Sequence, residues 1–210
     1  MQRNISWEIY KNVEKLMKYR NINPNGNFLS ENDFNKNFIH NEFITIEGTN
    51  TFDMPNRINK FSYILLISPN SNYGLKSQDF KALMKNKIST NFSTKLTEGI
   101  DLLIITENQL STHIEKVLTN IRTENPNSFI ENYPYFKFAI EIPKHISVPK
   151  HEYATEQEIN DIIINSYKMK NNLPKINSSD SAIIWLGARI GDIIKITRFS
   201  ENAGYSIAYR

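Results

Sequence analysis

The 210-residue chain contains no cysteine. Disulfide bridges, cysteine-ligated zinc and thiol nucleophiles are therefore excluded, and a reducing compartment fits the composition. No apolar run reaches the roughly 18–20 residues that a membrane-spanning helix needs. The opening residues, MQRNISWEIYKN, lack the apolar core of a secretory signal. The expectation is a soluble, intracellular protein with no membrane partner. Charge of one sign is scarce as well: 25 Lys and Arg against 22 Asp and Glu give a formal net charge of +3. A protein that wraps nucleic acid unaided carries a stronger basic excess. Limited DNA contact inside a larger assembly remains compatible with this balance. There is no glycine-rich phosphate loop, no internal repeat and no low-complexity run beyond scattered asparagines.

Apolar residues make up 40% of the chain and aromatics 11%. That is enough to bury a core in one large domain or two small ones. Ile5, Ile9, Val13, Leu16 and Met17 recur at helical spacing, so residues 5–20 are expected to be an amphipathic helix. A turn with Pro24 and Gly26 follows. A short helix then starts behind Ser30, with Asp33 three residues on. EFITIEG, from Glu42, and FSYILLIS, from Phe61, read as strands, the second apolar enough to be central in a sheet. Phe80, Leu83 and Met84 give residues 77–89 helical spacing. GIDLLIIT, from Gly99, is another buried strand, and residues 109–121 another helix.

The polar segment 123–135, with Pro126 and Pro134, is the best domain boundary. Two domains are expected, residues 1–135 and 136–210. In the second, FKFAIEI alternates like a strand. EQEINDIIINSYK is a helix with Thr155 and Glu158 placed as a capping box. SSDSAIIWLG is a short helix that Ser179 or Asp180 can cap and Gly187 can end. DIIKITRF and YSIAYR form a hairpin-like pair joined by SENAG. The expected fold class is α/β, mixed α+β: helices on a small sheet, then a small mixed-sheet domain.

The last 70 residues carry an ordered set of short motifs. His145, Val148, Pro149 and His151 are followed by Leu173, Pro174, Lys175 and Ile176. Asp180 opens a helix and Gly187 ends it. Then come Arg189 and Gly191, Lys195, Ile196 and Arg198, and finally Ser200, Glu201, Ala203, Gly204, Tyr209 and Arg210. This succession closely resembles the C-terminal assembly domain of the subunit 5 family of multisubunit DNA-dependent RNA polymerases, a domain that archaeal polymerases have as a separate small subunit. The N-terminal two thirds resemble the family's eukaryotic-type jaw domain in length and element order. Three positions depart from the family pattern: Ser181 stands for a Pro, Ile183-Ile184 for an Arg, and Ser206 for a Tyr.

The resemblance implies a non-catalytic polymerase subunit, with a jaw domain over 1–135 and an assembly domain over 136–210. Its implied partners are the largest polymerase subunit, other polymerase subunits and, weakly and without sequence preference, downstream double-stranded DNA. It implies no cofactor. It implies a nucleus for a cellular protein, and a virion or cytoplasmic factory for a viral one. His145, Pro149, His151, Lys195, Arg198, Ser200, Glu201, Gly204, Tyr209 and Arg210 become candidates for the subunit interface.

By themselves these residues have plainer readings. Ser200–Gly204 reads as a hairpin turn and the strand cations as a solvated or charge-protected edge. His145 and His151 read as hydrogen-bonding residues near a strand end, since their spacing matches no zinc pattern. Lys76, Lys81, Lys85 and Lys87 read equally as a solvated helix face or as contacts to DNA phosphates.

A stand-alone nucleic-acid-binding or nuclease-like α/β protein is the alternative. Its metal site would need an Asp and a Glu-x-Lys at neighbouring strand ends. Asp101 opens a strand, but Glu141 and Lys144 are one residue too far apart. A regulator that borrows the assembly domain to compete for the polymerase is a further possibility.

Overall fold

The computed structural model describes residues 5–41, 43–51, 58–69, 96, 98–162, 172–200 and 204–210. The chain divides into two compact units, Met1–Ile140 and Glu141–Arg210. Both are mixtures of helix and sheet, as expected from the sequence.

Helix α1 (Ile5–Tyr19) buries Ile9, Tyr10, Val13, Leu16 and Met17 along one stripe. Helix α2 (Glu31–Asn41) starts at Ser30, whose hydroxyl accepts the Asp33 amide at 3.3 Å and donates to the Asp33 carboxylate at 2.7 Å. The Phe34 ring centroid lies 4.7 Å from that of Tyr10 and 5.3 Å from that of Trp7, which ties the two helices together.

The sheet of this unit has the order β1-β2-β3-β4-β5. The strands are β1 (Ile22–Pro24), β2 (Phe43–Asn50), β3 (Phe61–Ile67), β4 (Asp101–Thr106) and β5 (Phe129–Pro134). β1, β2 and β3 pair antiparallel; β3, β4 and β5 pair parallel. The parallel strands β3 and β4 are buried on both faces, which explains their unbroken apolar runs. Tyr63, Leu65, Leu102 and Ile104 form one core with Ile114, Val117 and Leu118 of helix α3 (Thr112–Glu124). On the other face, Gly48 of β2 sits where an added Cβ would come 2.4 Å from Ile22 and 2.7 Å from Met17. So α1 closes on that face at a point where only a hydrogen fits.

Two expectations change. FKFAIEI is not a strand; the backbone makes 3-10 turns at Tyr135–Lys137 and Ile142–Lys144. Phe138 is buried, as the alternation suggests, while Phe136 and Ile140 are exposed. The Asn12 side-chain amide donates to the carbonyls of Phe138 and Ala139, at 2.8 and 3.2 Å, in place of a neighbouring strand. Conversely, part of the polar segment 123–135 forms β5, a strand of the main sheet. Its Glu131 is buried against Arg20 at 2.7 Å. The helix expected over 77–89 lies outside the described residues.

The second unit holds an antiparallel sheet of order β6-β7-β8, made of Lys150–Tyr153, Ile194–Ser200 and Gly204–Tyr209. β6 has only four residues, three of them polar, and no sequence signal marks it. Helix α4 begins at Glu156 and is described to Ile162. Its capping box forms as expected: the Thr155 amide donates to the Glu158 carboxylate at 2.9 Å, and the Glu158 amide to the Thr155 hydroxyl at 3.2 Å. Helix α5 (Ser181–Leu186) is capped by Asp180, which accepts the Ala182 amide at 2.8 Å. Gly187 ends it at φ 70°, a left-handed conformation that favours glycine, with its N–H shared between the Ile183 and Ile184 carbonyls. Trp185 is fully buried.

Candidate docking surface

Strand alternation sorts the expected interface residues of the second unit onto two faces of its sheet. Ile194 and Ile196 pack with Ile183 of α5 and define the inner face. His151 pairs with Ile196 across the sheet, Ser206 with Arg198, and Gly204 with Ser200. Arg198 is two residues on from Ile196, so all of these share the inner face's parity. The backbone of Arg210 exchanges two hydrogen bonds with Ile194, at 2.9 and 3.0 Å, which places it there too. Lys195, Phe199, Tyr205, Ile207 and Tyr209 occupy the opposite face.

On the inner side, a groove of about 480 Å³ gathers Pro149, His151, Arg198 and Arg210 beside Val148, Lys175, Ile176, Asp180 and Ile196. A second cleft, of about 470 Å³, is lined by Leu173, Pro174, Ile190 and Gly191 and shares Lys175, Ile176 and Arg210 with the first. Three motifs far apart in sequence, around Pro149, Lys175 and Arg198, thus meet along one surface. The His151 Nδ1 lies 2.7 Å from the Pro149 carbonyl. A carbonyl only accepts, so this nitrogen carries the hydrogen. At His145, the ring Nδ1 instead accepts the Ser147 amide at 3.3 Å. Both histidines therefore shape the loop leading into β6.

Lys195 and Tyr209 are engaged within the chain. The Lys195 ammonium lies 2.6 Å from a Glu158 carboxylate oxygen, and the Tyr209 hydroxyl donates to the same oxygen at 3.3 Å. The hydrogen bond from Lys195, helped by the Thr155 amide, lowers the Glu158 pKa to about 2. The same contact raises the Lys195 pKa, while burial and the Glu158 charge raise that of Tyr209. Ser200 and Gly204 face each other at the end of the hairpin, and Gly204 adopts φ 68° in open space. Glu201 lies outside the described residues, as do Lys76, Lys81, Lys85 and Lys87.

Sequence reasoning missed the role of Glu158 beyond its capping box. It also missed an exposed patch on the outer face, where Phe199 and Tyr205 have ring centroids 5.3 Å apart and Ile207 follows. The alternation of Tyr205, Ile207 and Tyr209 was its only signal. At one departure from the family pattern, Ile183 packs beneath the sheet with Ile194 and Ile196, and Ile184 is buried as well.

In the first unit, Asp101 accepts the Asn59 side-chain amide at 2.8 Å and the Asn50 side-chain amide at 3.3 Å. Glu141, in the second unit, pairs with Lys144 at 3.1 Å. Among the described residues, no group of three or more His, Asp or Glu side chains is placed to hold a metal ion. No helix described is long and apolar enough to cross a membrane.

The groove offers cations and apolar walls around one capped carboxylate. Residues 140–210 match the family model described as RNA polymerase Rpb5, C-terminal domain. The chain is 42% identical over 72 residues to a protein of Methanocaldococcus jannaschii named DNA-directed RNA polymerase subunit Rpo5; the match covers 34% of this chain and 91% of that protein. The Rpo5 of Nitrosopumilus maritimus is 42% identical over 74 residues, 35% of this chain and 89% of the other. An African swine fever virus protein named DNA-directed RNA polymerase RPB5 homolog is 29% identical over 147 residues, 70% of each chain. That alignment is longer than the C-terminal match, so the likeness reaches into the first unit. The chain belongs to the Rpb5 family of RNA polymerase subunits.

Proposed function

We propose that the chain is a non-catalytic subunit of a multisubunit DNA-directed RNA polymerase. In this reading the second unit, an assembly domain, anchors it to the largest subunit, and the first unit serves as a jaw beside the downstream DNA. One observation carries the proposal: a stretch of only 72 residues of this chain covers 91% of an archaeal relative named as a polymerase subunit, and residues 140–210 by themselves match the Rpb5 C-terminal domain model. A domain that makes up nearly a whole subunit elsewhere is the natural attachment module. The longer viral alignment supports an added N-terminal unit in a polymerase of the eukaryotic or large-DNA-virus type. The chain would then work in a nucleus, or in a virion or cytoplasmic viral factory.

Catalysis would rest with other subunits, and this chain would supply position. Asp101, the residue best placed in sequence for a nuclease, is held by two asparagine amides, so the stand-alone nuclease reading gains no support. Lys76, Lys81, Lys85 and Lys87 would touch phosphates without reading bases. Changing Lys81 and Lys85 to Gln should reduce the salt slope of DNA binding by the assembled polymerase by about 0.9 per lost phosphate contact.

The direct test is affinity capture of the tagged full chain from its native source, with mass spectrometry of what is retained. Recovery of the two largest polymerase subunits in near-equal amounts is the expected result. Recovery of nucleic acid without polymerase subunits would overturn the reading.

A further inference from the structure

Positive charge in the second unit is distributed unevenly between neutralised and open sites. On the outer face, Lys150 lies 2.7 Å from Glu152 and Lys195 lies 2.6 Å from Glu158. On the inner side, Lys175, Arg198 and Arg210 all line the groove near Pro149, and none has a carboxylate partner among the described residues. The carboxylate on that wall, Asp180, already accepts the Ala182 amide as the cap of α5. Val148, Pro149, Ile176 and Ile196 supply apolar surface between the cations.

We propose that this groove seats an acidic peptide segment of another polymerase subunit, with an apolar side chain next to its carboxylates. The inference rests on the polymerase-subunit reading and adds the chemistry of the contact. Two guanidinium groups offer paired N–H donors that match carboxylates two at a time, and a lysine offers a compact ammonium. The wall between the cations is aliphatic; its described residues include no Phe, Tyr or Trp on which a base would stack, so it suits an apolar side chain of a peptide. The backbone of Arg210 is fixed in the sheet by its two hydrogen bonds to Ile194, so its side chain starts from a defined place. Burying an apolar anchor among complementary charges is how interfaces of this kind gain both affinity and register.

Zero-length carbodiimide cross-linking of the assembled polymerase tests this without altering the chain, since it joins an ammonium directly to a carboxylate in contact with it. The expected product is Lys175 bonded to an Asp or Glu of another subunit, in a segment with an apolar neighbour. In parallel, the double variant Lys175→Glu/Arg198→Glu should lower capture of polymerase subunits by the full chain at least ten-fold. The variant should keep the wild-type melting temperature, because both side chains are exposed or partly so. Wild-type capture with no Lys175 cross-link, and undiminished capture by the variant, would overturn the groove's occupant while leaving the subunit reading intact. Ultraviolet cross-linking of this strand to nucleic acid would replace the peptide by a phosphate backbone. Failure of the unaltered chain to capture any polymerase subunit would remove both readings together.

Discussion

Arg20 and Glu131 stand 111 positions apart in sequence and meet at 2.7 Å, each only 8% exposed. The Tyr133 hydroxyl donates to the second oxygen of Glu131 at 3.1 Å, so the carboxylate is satisfied on both sides. Burial, and then the charge of Glu131, push the Tyr133 phenol well above its ordinary value. Removing one member of such a pair strands a buried charge, at a cost of about 3–5 kcal/mol. Arg20→Met is therefore expected to lower the urea midpoint of the first unit substantially. Arg20→Met with Glu131→Leu should recover much of the loss, because no lone charge remains. A double variant no more stable than the single one would show that the pair acts through something other than charge.

Glu158 gives the second residue-scale prediction. Its folded pKa, about 2, lies below its ordinary 4.5. A depressed carboxylate contributes stability above pH 4.5 and loses it as pH falls through the folded value. The raised pKa of Lys195 works in the opposite sense, contributing below its ordinary 10.5 and fading above it. Thermal melting of Glu158→Gln should fall below wild type between those limits. The gap should close between pH 4.5 and pH 2, and a constant gap across that range would count against the ion pair.

At the scale of elements, Gly48 and α5 show what local sequence can and cannot convey. An added methyl at Gly48 meets Ile22 and Met17 inside contact distance. Gly48→Ala should therefore cost about 1–3 kcal/mol by overpacking, measured by chemical denaturation. Nothing in EFITIEG announces this, because the crowding comes from Met17 of α1 and Ile22 of β1, which are distant in sequence and adjacent only in the fold. By contrast, the start and end of α5 are legible in the residues, since Asp180 and Gly187 act through their own neighbours' backbone. The same holds for Ser30 with Asp33, for Thr155 with Glu158, and for the β7–β8 hairpin. β5 and the 3-10 turns near Phe138 were misread because their backbone groups are satisfied by remote partners: β4 in one case, Asn12 in the other. The groove followed the same rule. Its residue types were visible one motif at a time, but the meeting of Pro149, Lys175 and Arg198 depends on how three segments pack. Within α5, Trp185→Ala should cost about 3–5 kcal/mol, read as a lower melting temperature, because the indole is wholly enclosed.

At the scale of the whole molecule, the proposed role is that of a constitutive polymerase subunit rather than a factor that visits. The two units carry different shares of the likeness. The second matches the Rpb5 C-terminal domain model, while the first shares in the longer viral alignment. Permanent attachment through the second unit would make the chain as abundant in the enzyme as the largest subunit itself. The most direct measurement is therefore the copy number of this chain in polymerase purified through a tag on that subunit, by quantitative mass spectrometry against labelled peptides. One copy per enzyme, retained through moderate salt, is the expected result. A copy number well below one, or loss of the chain in the same wash that keeps the other subunits, would contradict it.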